Sequence, residues 1–582
     1  MAIDNDVNRR QFLRASGAGA AVGATMLAGC MGGGDDDGNG GNGGNGGDDD
    51  ITVDDDDQTT SEAEDIERGG TLVVGLSQDP RTLNPHLGDD SGTSAIADQI
   101  ANRLVRTDQT GEIIPDLARD WQVNDELTEY TFQLHEGVQF HGDYGEADAE
   151  AVVDNFHKII LDEEYGAFAA SDYEGTLFTV DDDGNIQDHP EDTVYASGDY
   201  EVTFDMLEAD ASFLFALADY RSSILPVDAI DEHGDDFGST SEGTWATGAF
   251  QFVEGQDNSH YELEANPDYF KETDAGQLPY LDGVRYEIIV ESSVRNTQVQ
   301  TGEIHLDHQV TASDVDGLQD ADDVEVRTRA GTDQSNLYVN TRNFEPFTDV
   351  RVRQALSHAV NREAIVEVQW DGLAEPAYNI FPEWHWAYDE DAVTRYEHDV
   401  ERAQELLDEA GHSNLEFTAR VTNESQFTDH ATILQQNLAQ AGIDMNIETM
   451  EKWTAWGPFL PDSWDNDPVG PPEDDHALVE SIGYGFDADM YAYLTYYTGE
   501  FFNSSFYSDE QVDEWLDETR RVADQERREE LYSNVQEQVT EEIPQIYTIW
   551  QNRTHAIREE VNDYILRPNG MPAFEEIWLT QE

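Results

Sequence analysis

Two spacings of apolar residues alternate along this chain. In Thr71-Leu72-Val73-Val74-Gly75-Leu76, Tyr130-Thr131-Phe132-Gln133-Leu134, Tyr200-Glu201-Val202-Thr203-Phe204 and Tyr286-Glu287-Ile288-Ile289-Val290, β-branched and aromatic residues cluster in short runs, the mark of strands. From Val350 to Val368, Val400 to Ala410, Thr432 to Ala441 and Asp509 to Gln538 they recur every three or four positions, which predicts helices with one buried face. Asp399 is placed to cap the second helix and Gly411 to end it; Gly442 ends the third. No period of about 20–50 residues repeats. Strands and helices are mixed throughout, and residues 69–582 exceed one ordinary core. The expectation is an α/β protein of two or three domains.

The N-terminal segment lacks both spacings. Asn8-Arg9-Arg10-Gln11-Phe12-Leu13 precedes a weakly apolar run, Ala15 to Leu27, which ends in Leu27-Ala28-Gly29-Cys30. The arginine pair reads as a twin-arginine export signal. Leu-Ala-Gly-Cys resembles a lipobox, so Cys30, the chain's single cysteine, is expected to carry a lipid at the mature N-terminus. Residues 31–68 are rich in Gly and Asp and cannot bury a core, so they read as a disordered tether spanning roughly 35 Å. No later stretch approaches the ~18 apolar residues of a membrane span.

Charge changes the expected surroundings. There are 126 acidic and 30 basic residues, a formal net charge of −96. Lys158, Lys271 and Lys452 are the lysines; the remaining basic residues are arginine. Such self-repulsion becomes tolerable in molar salt, where the screening length is about 3 Å. The composition resembles that of proteins from extreme halophiles. It argues against nucleic acid as a partner. With 38% hydrophobic and 10% aromatic residues, general disorder is excluded.

Several segments in order resemble the family 5 solute-binding proteins of ABC importers, the peptide/nickel-binding group. They are Gly70-Thr71-Leu72-Val73-Val74-Gly75 with Leu83-Asn84-Pro85; Gly111-Glu112-Ile113-Ile114-Pro115-Asp116-Leu117-Ala118; Tyr130 through Gly142; Asn266-Pro267-Asp268-Tyr269-Phe270; Asp349-Val350-Arg351-Val352-Arg353-Gln354-Ala355-Leu356 with Asn361-Arg362; and Gly483-Tyr484-Gly485-Phe486-Asp487. The resemblance spans residues 69–582. It implies a two-lobed periplasmic-binding-protein-like α/β fold with a hinge and an extra inserted domain. Residues 1–30 would be the signal and 31–68 the tether. Lobe one would hold 69–90, 225–333 and 546–582, the insert 91–224 and lobe two 334–545. The chain would cross between lobes near 336–340 and 545–550. The implied function is an extracellular, lipid-anchored binding protein that captures peptides in the cleft for an ABC permease. It would be a monomer without cofactor or metal, on the outer face of the cytoplasmic membrane. An oligosaccharide or nickel complex is the alternative ligand; a secreted hydrolase or adhesin is the reading from another class.

The resemblance implies that Asp487, with Asp489 as its neighbour, pairs with the ligand's amino group. Ser91-Gly92-Thr93 would hydrogen-bond a peptide-like ligand, while Tyr484, Phe486 and Trp384 would bury it. In dipeptide-binding relatives an arginine receives the ligand's carboxylate, but residues 421–441 contain no arginine or lysine, which leaves Arg420 as the nearest substitute. Enzyme motifs fail on spacing. His135-Glu136 and His141 lack the i, i+4 histidine pair of a zinc protease. Around Gly184, a calcium loop would need an acid where Pro190 stands. There is no Gly-x-Ser-x-Gly elbow.

Overall fold

The computed structural model describes residues 66–581 apart from 89, 163–164, 166–168, 171–172, 175, 181–185, 189, 461–470, 484, 501 and 571. The export signal, Cys30 and residues 31–65 of the expected tether lie outside the described residues, as do residues 181–185 and 189 of the rejected calcium loop. The folded body begins slightly earlier than Gly69. Ile66 packs on a core, and Arg68 donates to the Gln277 and Ala275 carbonyls at 2.7 and 2.9 Å.

The predicted strands form at Thr71–Leu76, Glu129–Leu134, Glu201–Asp205 and Gly283–Ile288. In Glu129–Leu134 the alternation is literal, with Tyr130, Phe132 and Leu134 buried between half-exposed or exposed neighbours. Asp399 accepts the Arg402 N–H at 2.9 Å, and Gly411 closes helix Val400–Ala410 in the left-handed conformation at φ 85°. Two expected long helices are each broken by an internal cap. Val350 to Val368 is Val350–Ala359 followed by Arg362–Trp370, because Asn361 accepts the Ala364 N–H at 2.9 Å. Asp509 to Gln538 is Glu510–Arg521 followed by Gln525–Glu542, restarted by Asp524 on the Arg527 N–H. The expected helix at Thr432 is the later part of Ser425–Gln440, whose first turn is too polar to show a buried face.

Four apolar cores follow among the described residues, the smallest gathering Val299, Ile304, Val315 and Leu318. One joins Leu72, Val74, Tyr261, Tyr286, Leu306 and Ile557. A second, of Phe132, Phe156, Phe204 and Phe213, lies beneath a four-stranded antiparallel sheet of Ala118–Val123, Glu129–Leu134, Glu201–Asp205 and Val194–Gly198. The third and largest gathers Leu337, Phe417, Val421, Leu434, Val479, Tyr491 and Ile549. Helix Ser91–Ile100, numbered with the insert by its position in the chain, packs Ala95, Ile96 and Ile100 into the first core. Ile546, Tyr547, Ile549 and Trp550 belong to the third core, not the first.

An eleven-stranded sheet runs through the first and third cores. Thr71–Leu76 pairs parallel with Gly283–Ile288 on one side. On the other, Glu416–Thr422 pairs parallel with Asp444–Met450, and helix Ser425–Gln440 makes the crossover a parallel pair requires. Two long antiparallel strands, Val324–Val339 and Gln545–Arg558, join the halves. Their register slips between Ala330 and Asp333, and again between Ser335 and Asn336. At the first slip a Cβ on Gly331 would stand 2.4 Å from the Gln551 carbonyl oxygen, so this approach of two backbones admits only glycine. The first slip lies a few residues before the crossing expected at 336–340 and, on the partner strand, just beyond 550; the second falls at Asn336, opposite 547–549.

Candidate functional site

Strand Ala477–Gly483 emerges from the third core and leads into helix Ala488–Tyr496, with Asp487 at the helix N-cap position. An aspartate there normally caps its helix. Asp487 makes no capping bond, although it is 1% exposed, and neither carboxylate oxygen has a hydrogen-bond partner. The closest cation is Arg528 of helix Gln525–Glu542, Nη2 to Oδ1 at 3.7 Å, which is too long for a hydrogen bond. Burial pushes the Asp487 carboxyl up to about 7 against the pull of Arg528, with Asp489 adding to the rise.

The turn before Asp487 is held rigidly. His385 donates from Nε2 to the Phe486 carbonyl at 3.1 Å and accepts the Ala387 N–H at Nδ1. Burial holds this imidazole neutral, its pKa down at about 3. Phe486 is buried; Trp384 meets it edge-on at 6.3 Å, and the Trp384 indole N–H is buried without a partner. Phe486 also reaches the body built on the second core. A Cβ on Gly111 would lie 2.6 Å from the Phe486 ring, and Gly111 takes φ +87°, so glycine fits there on both counts.

The other predicted residues divide. Asp489 is fully buried and already paired: Arg520 donates to its Oδ2 from Nε at 3.0 Å and Nη2 at 2.7 Å, with the guanidinium over the Tyr493 ring. Its Oδ1 has no partner. Arg420 is not at this site. It lies beside Leu478, five residues back from Gly483, or about 17 Å along the strand, and is bound to Asp475 and the Thr454 carbonyl. Ser91, Gly92 and Thr93 form the first turn of helix Ser91–Ile100. Their side chains are engaged locally: Thr93 Oγ1 donates to the Thr82 carbonyl and Asp90, while Ser91 Oγ accepts from Gln78. Tyr484 lies outside the described residues. His141, from the rejected zinc motif, is buried between the Gly248 carbonyl and the Ala246 N–H.

Sequence reasoning missed Arg520, Arg528 and His385. A signal existed for the two arginines. Arg520 follows the buried Leu516 by four residues and Arg528 precedes the buried Leu531 by three, so both fall on apolar helix faces. His385 carries no comparable signal. Among the described residues, Glu254, His260 and Glu262 also converge, but Arg285 already binds Glu262, which makes them a poor cation site. The site around Asp487 offers buried acceptors to a cation and aromatic walls to an apolar neighbour. That is an arrangement for binding.

Residues 112–504 match the model of the bacterial extracellular solute-binding proteins, family 5, and residues 6–26 match the twin-arginine translocation signal. The chain is 25% identical to the oligopeptide-binding protein AppA of Bacillus subtilis over 88% of its own length and 92% of the relative's. It is 26% identical to the dipeptide-binding protein of Escherichia coli, covering 87% and 94%. The solved structure of DppA from Helicobacter pylori in complex with the peptide STSA superposes with a TM-score of 0.73 at 26% identity, covering 88% of this chain and 99% of that one. Among the described residues no helix is long and apolar enough to cross a membrane.

Proposed function

This chain belongs to the extracellular solute-binding proteins of family 5, and from that premise we propose that it captures peptides outside the cell for an ABC importer. The observation that carries the reading is the buried Asp487 carboxylate, whose two oxygens accept no hydrogen bond and whose near cation, Arg528, stands back at 3.7 Å. A peptide's α-ammonium supplies the three donors and the charge that such a group lacks. Phe486 and Trp384 flank the place where the first side chains of that peptide would lie. The lobes would close about the slipped register near Gly331, where a few backbone rotations swing the two halves. Since Arg420 is committed to Asp475, the ligand's carboxylate has no receptor at that position. This favours peptides whose C-terminus lies elsewhere in the cleft, and it leaves a second reading, a non-peptide solute bearing an ammonium group.

The protein would work in concentrated salt, where its charge of −96 is screened. It would be exported through the twin-arginine route and held at the membrane by a lipid on Cys30. Cys30→Ala should then release it into the medium; retention of the variant at the membrane would defeat the anchor.

The binding test is thermal unfolding in molar KCl against pools of peptides, sugars and metal salts. A ligand at 100 times its Kd stabilises the folded state by about 2.7 kcal/mol. Stabilisation by sugars alone would sink the peptide reading. Asp487→Asn should weaken peptide binding by about 2–5 kcal/mol, the cost of truncating one partner of a buried charged pair. Undiminished affinity would remove Asp487 from the site.

A further inference from the structure

Between Ala556 and Gln551 the large sheet narrows to its two long strands. Leu306–Asp307 pairs with Gln545–Arg558 only as far as Ala556, while Ala477–Gly483 joins from Asp333 and the short strand Ala374–Pro376 from Gln551. The parallel strands Thr71–Leu76 and Leu306–Asp307 end on one side of this gap, and the parallel strands Glu416–Thr422 and Ala477–Gly483 end on the other. Open α/β sheets bind ligands at the carboxyl ends of such strands, and here two sets of ends face each other. Arg553 stands in the gap, directly opposite Arg329 in the register. Like charges in that position repel. Arg329 donates from Nη1 to the Leu566 carbonyl at 3.1 Å.

Arg553 is less committed. Its Nη2 lies against Asp333 Oδ2 without a hydrogen bond, its Nε is buried with no partner, and among the described residues its Nη1 has none; the side chain is 35% exposed. In Arg420, by contrast, all three nitrogens are taken by Asp475 and the Thr454 carbonyl. Asp333 also fixes where Arg553 stands relative to Asp487. It pairs with Gly483, and its Oδ1 is 2.7 Å from the place a Cβ on Gly483 would occupy. Asp487 follows four residues later, so it lies within about 14 Å of Gly483. From this geometry we infer that Arg553 is a specificity-determining residue, the anion receptor of the gap, which takes the ligand's terminal carboxylate at Nη1. The inference rests on the reading that Asp487 receives the ligand's ammonium. It adds the other end of the ligand and its length: a peptide held between the two charges has a free C-terminus and about two to four residues, at roughly 3.3–3.6 Å each.

The test is equilibrium dialysis of the full chain in molar KCl at neutral pH, with retained peptides counted by mass spectrometry. The probes are a random tripeptide library, the same library C-amidated, and the same library N-acetylated. The wild type should retain the free library over the amidated one by at least about 30-fold. Arg553→Gln should cut that preference below about 3-fold by losing the free-acid peptides, while it holds the amidated ones as the wild type does. An unchanged preference overturns the inference, and so does an equal loss of both libraries, which is what a purely structural arginine would give. Should Arg553→Gln misfold, Asp333→Asn decides: removing the acid that shares the guanidinium should raise the preference for free acids, and an equal or lower preference overturns the inference. Equal retention of free and amidated peptides by the wild type removes Arg553 and leaves Asp487 in place. A wild type that prefers free acids but holds the acetylated library equally well supports Arg553 and sinks the ammonium reading at Asp487. Retention of none of the three sinks both.

Discussion

The Arg528 guanidinium stands 3.7 Å from the Asp487 carboxylate, with both side chains buried and no hydrogen bond between them. A pair built for stability alone would close to 2.7–2.9 Å and satisfy its remaining valences. This pair does neither. Arg528 tempers the cost of burying the charge, and the oxygens remain available to a third group.

The raised Asp487 carboxyl has a measurable consequence. Its pKa in the fold is about 7, against about 3.8 for a free aspartate. Between those values the folded state holds the proton and the unfolded state has lost it, so this residue's contribution to stability falls as pH rises from about 4 to 7, by at most about 4 kcal/mol. The Tm of Asp487→Asn minus that of the wild type should therefore be near zero at pH 4 and positive at pH 8. A difference independent of pH would show that the group does not titrate in this range.

Buried histidines act in the opposite sense. His86, His141, His308 and His430 are each held down at about 4, chiefly by burial, and His385 at about 3. For a lowered base the stabilising contribution is complete above the unfolded pKa of about 6.5 and is lost as pH falls toward 4. Ligand-free protein should lose Tm steeply across that window. His430→Gln, which sits between Gln369 and Thr548, should make the loss shallower. An unchanged slope would move the cause of acid unfolding to other groups.

Gly331 should not tolerate a side chain. A methyl group 2.4 Å from the Gln551 carbonyl oxygen forces the two connecting strands apart. Overpacking of this kind costs about 1–3 kcal/mol, so Gly331→Ala should lower Tm and change the distribution of open and closed forms seen by scattering. Gly317→Ala, where a Cβ meets nothing, is the control. Equal behaviour of the two variants would remove the constraint.

Buried and exposed ion pairs should differ in worth despite the high charge. Glu575 binds Arg106 and approaches Lys271. Burial alone would raise its carboxyl, but those cations hold it well below the usual range. Glu575→Gln strands Arg106, while Lys271 keeps Asp116 at 2.7 Å, and should cost about 3–5 kcal/mol by calorimetry. Arg402 and Glu405, at 40% and 66% exposed, form a helical i, i+3 pair that should be worth less than about 0.5 kcal/mol. Comparable losses at both places would contradict this ranking.

The legible parts of this chain are those governed by local rules. Alternation in Glu129–Leu134, the cap at Asp399 and the glycine after Ala410 depend on neighbours in sequence, and each element formed where its pattern stood. The order of motifs pointed to the family and to Asp487. The breaks at Asn361 and Asp524 were also written locally, but a continuous apolar spacing across them hid the caps.

What tertiary structure alone decided is which charges meet. Arg420 was drawn to Asp475 across 55 residues, Asp489 to Arg520 across 31, and Ala211 N reached the Arg520 carbonyl from a different body. In a chain with 126 acids, no spacing distinguishes the few that will be buried. Desolvation makes that distinction, because it acts on distance through the folded body and not on distance along the chain.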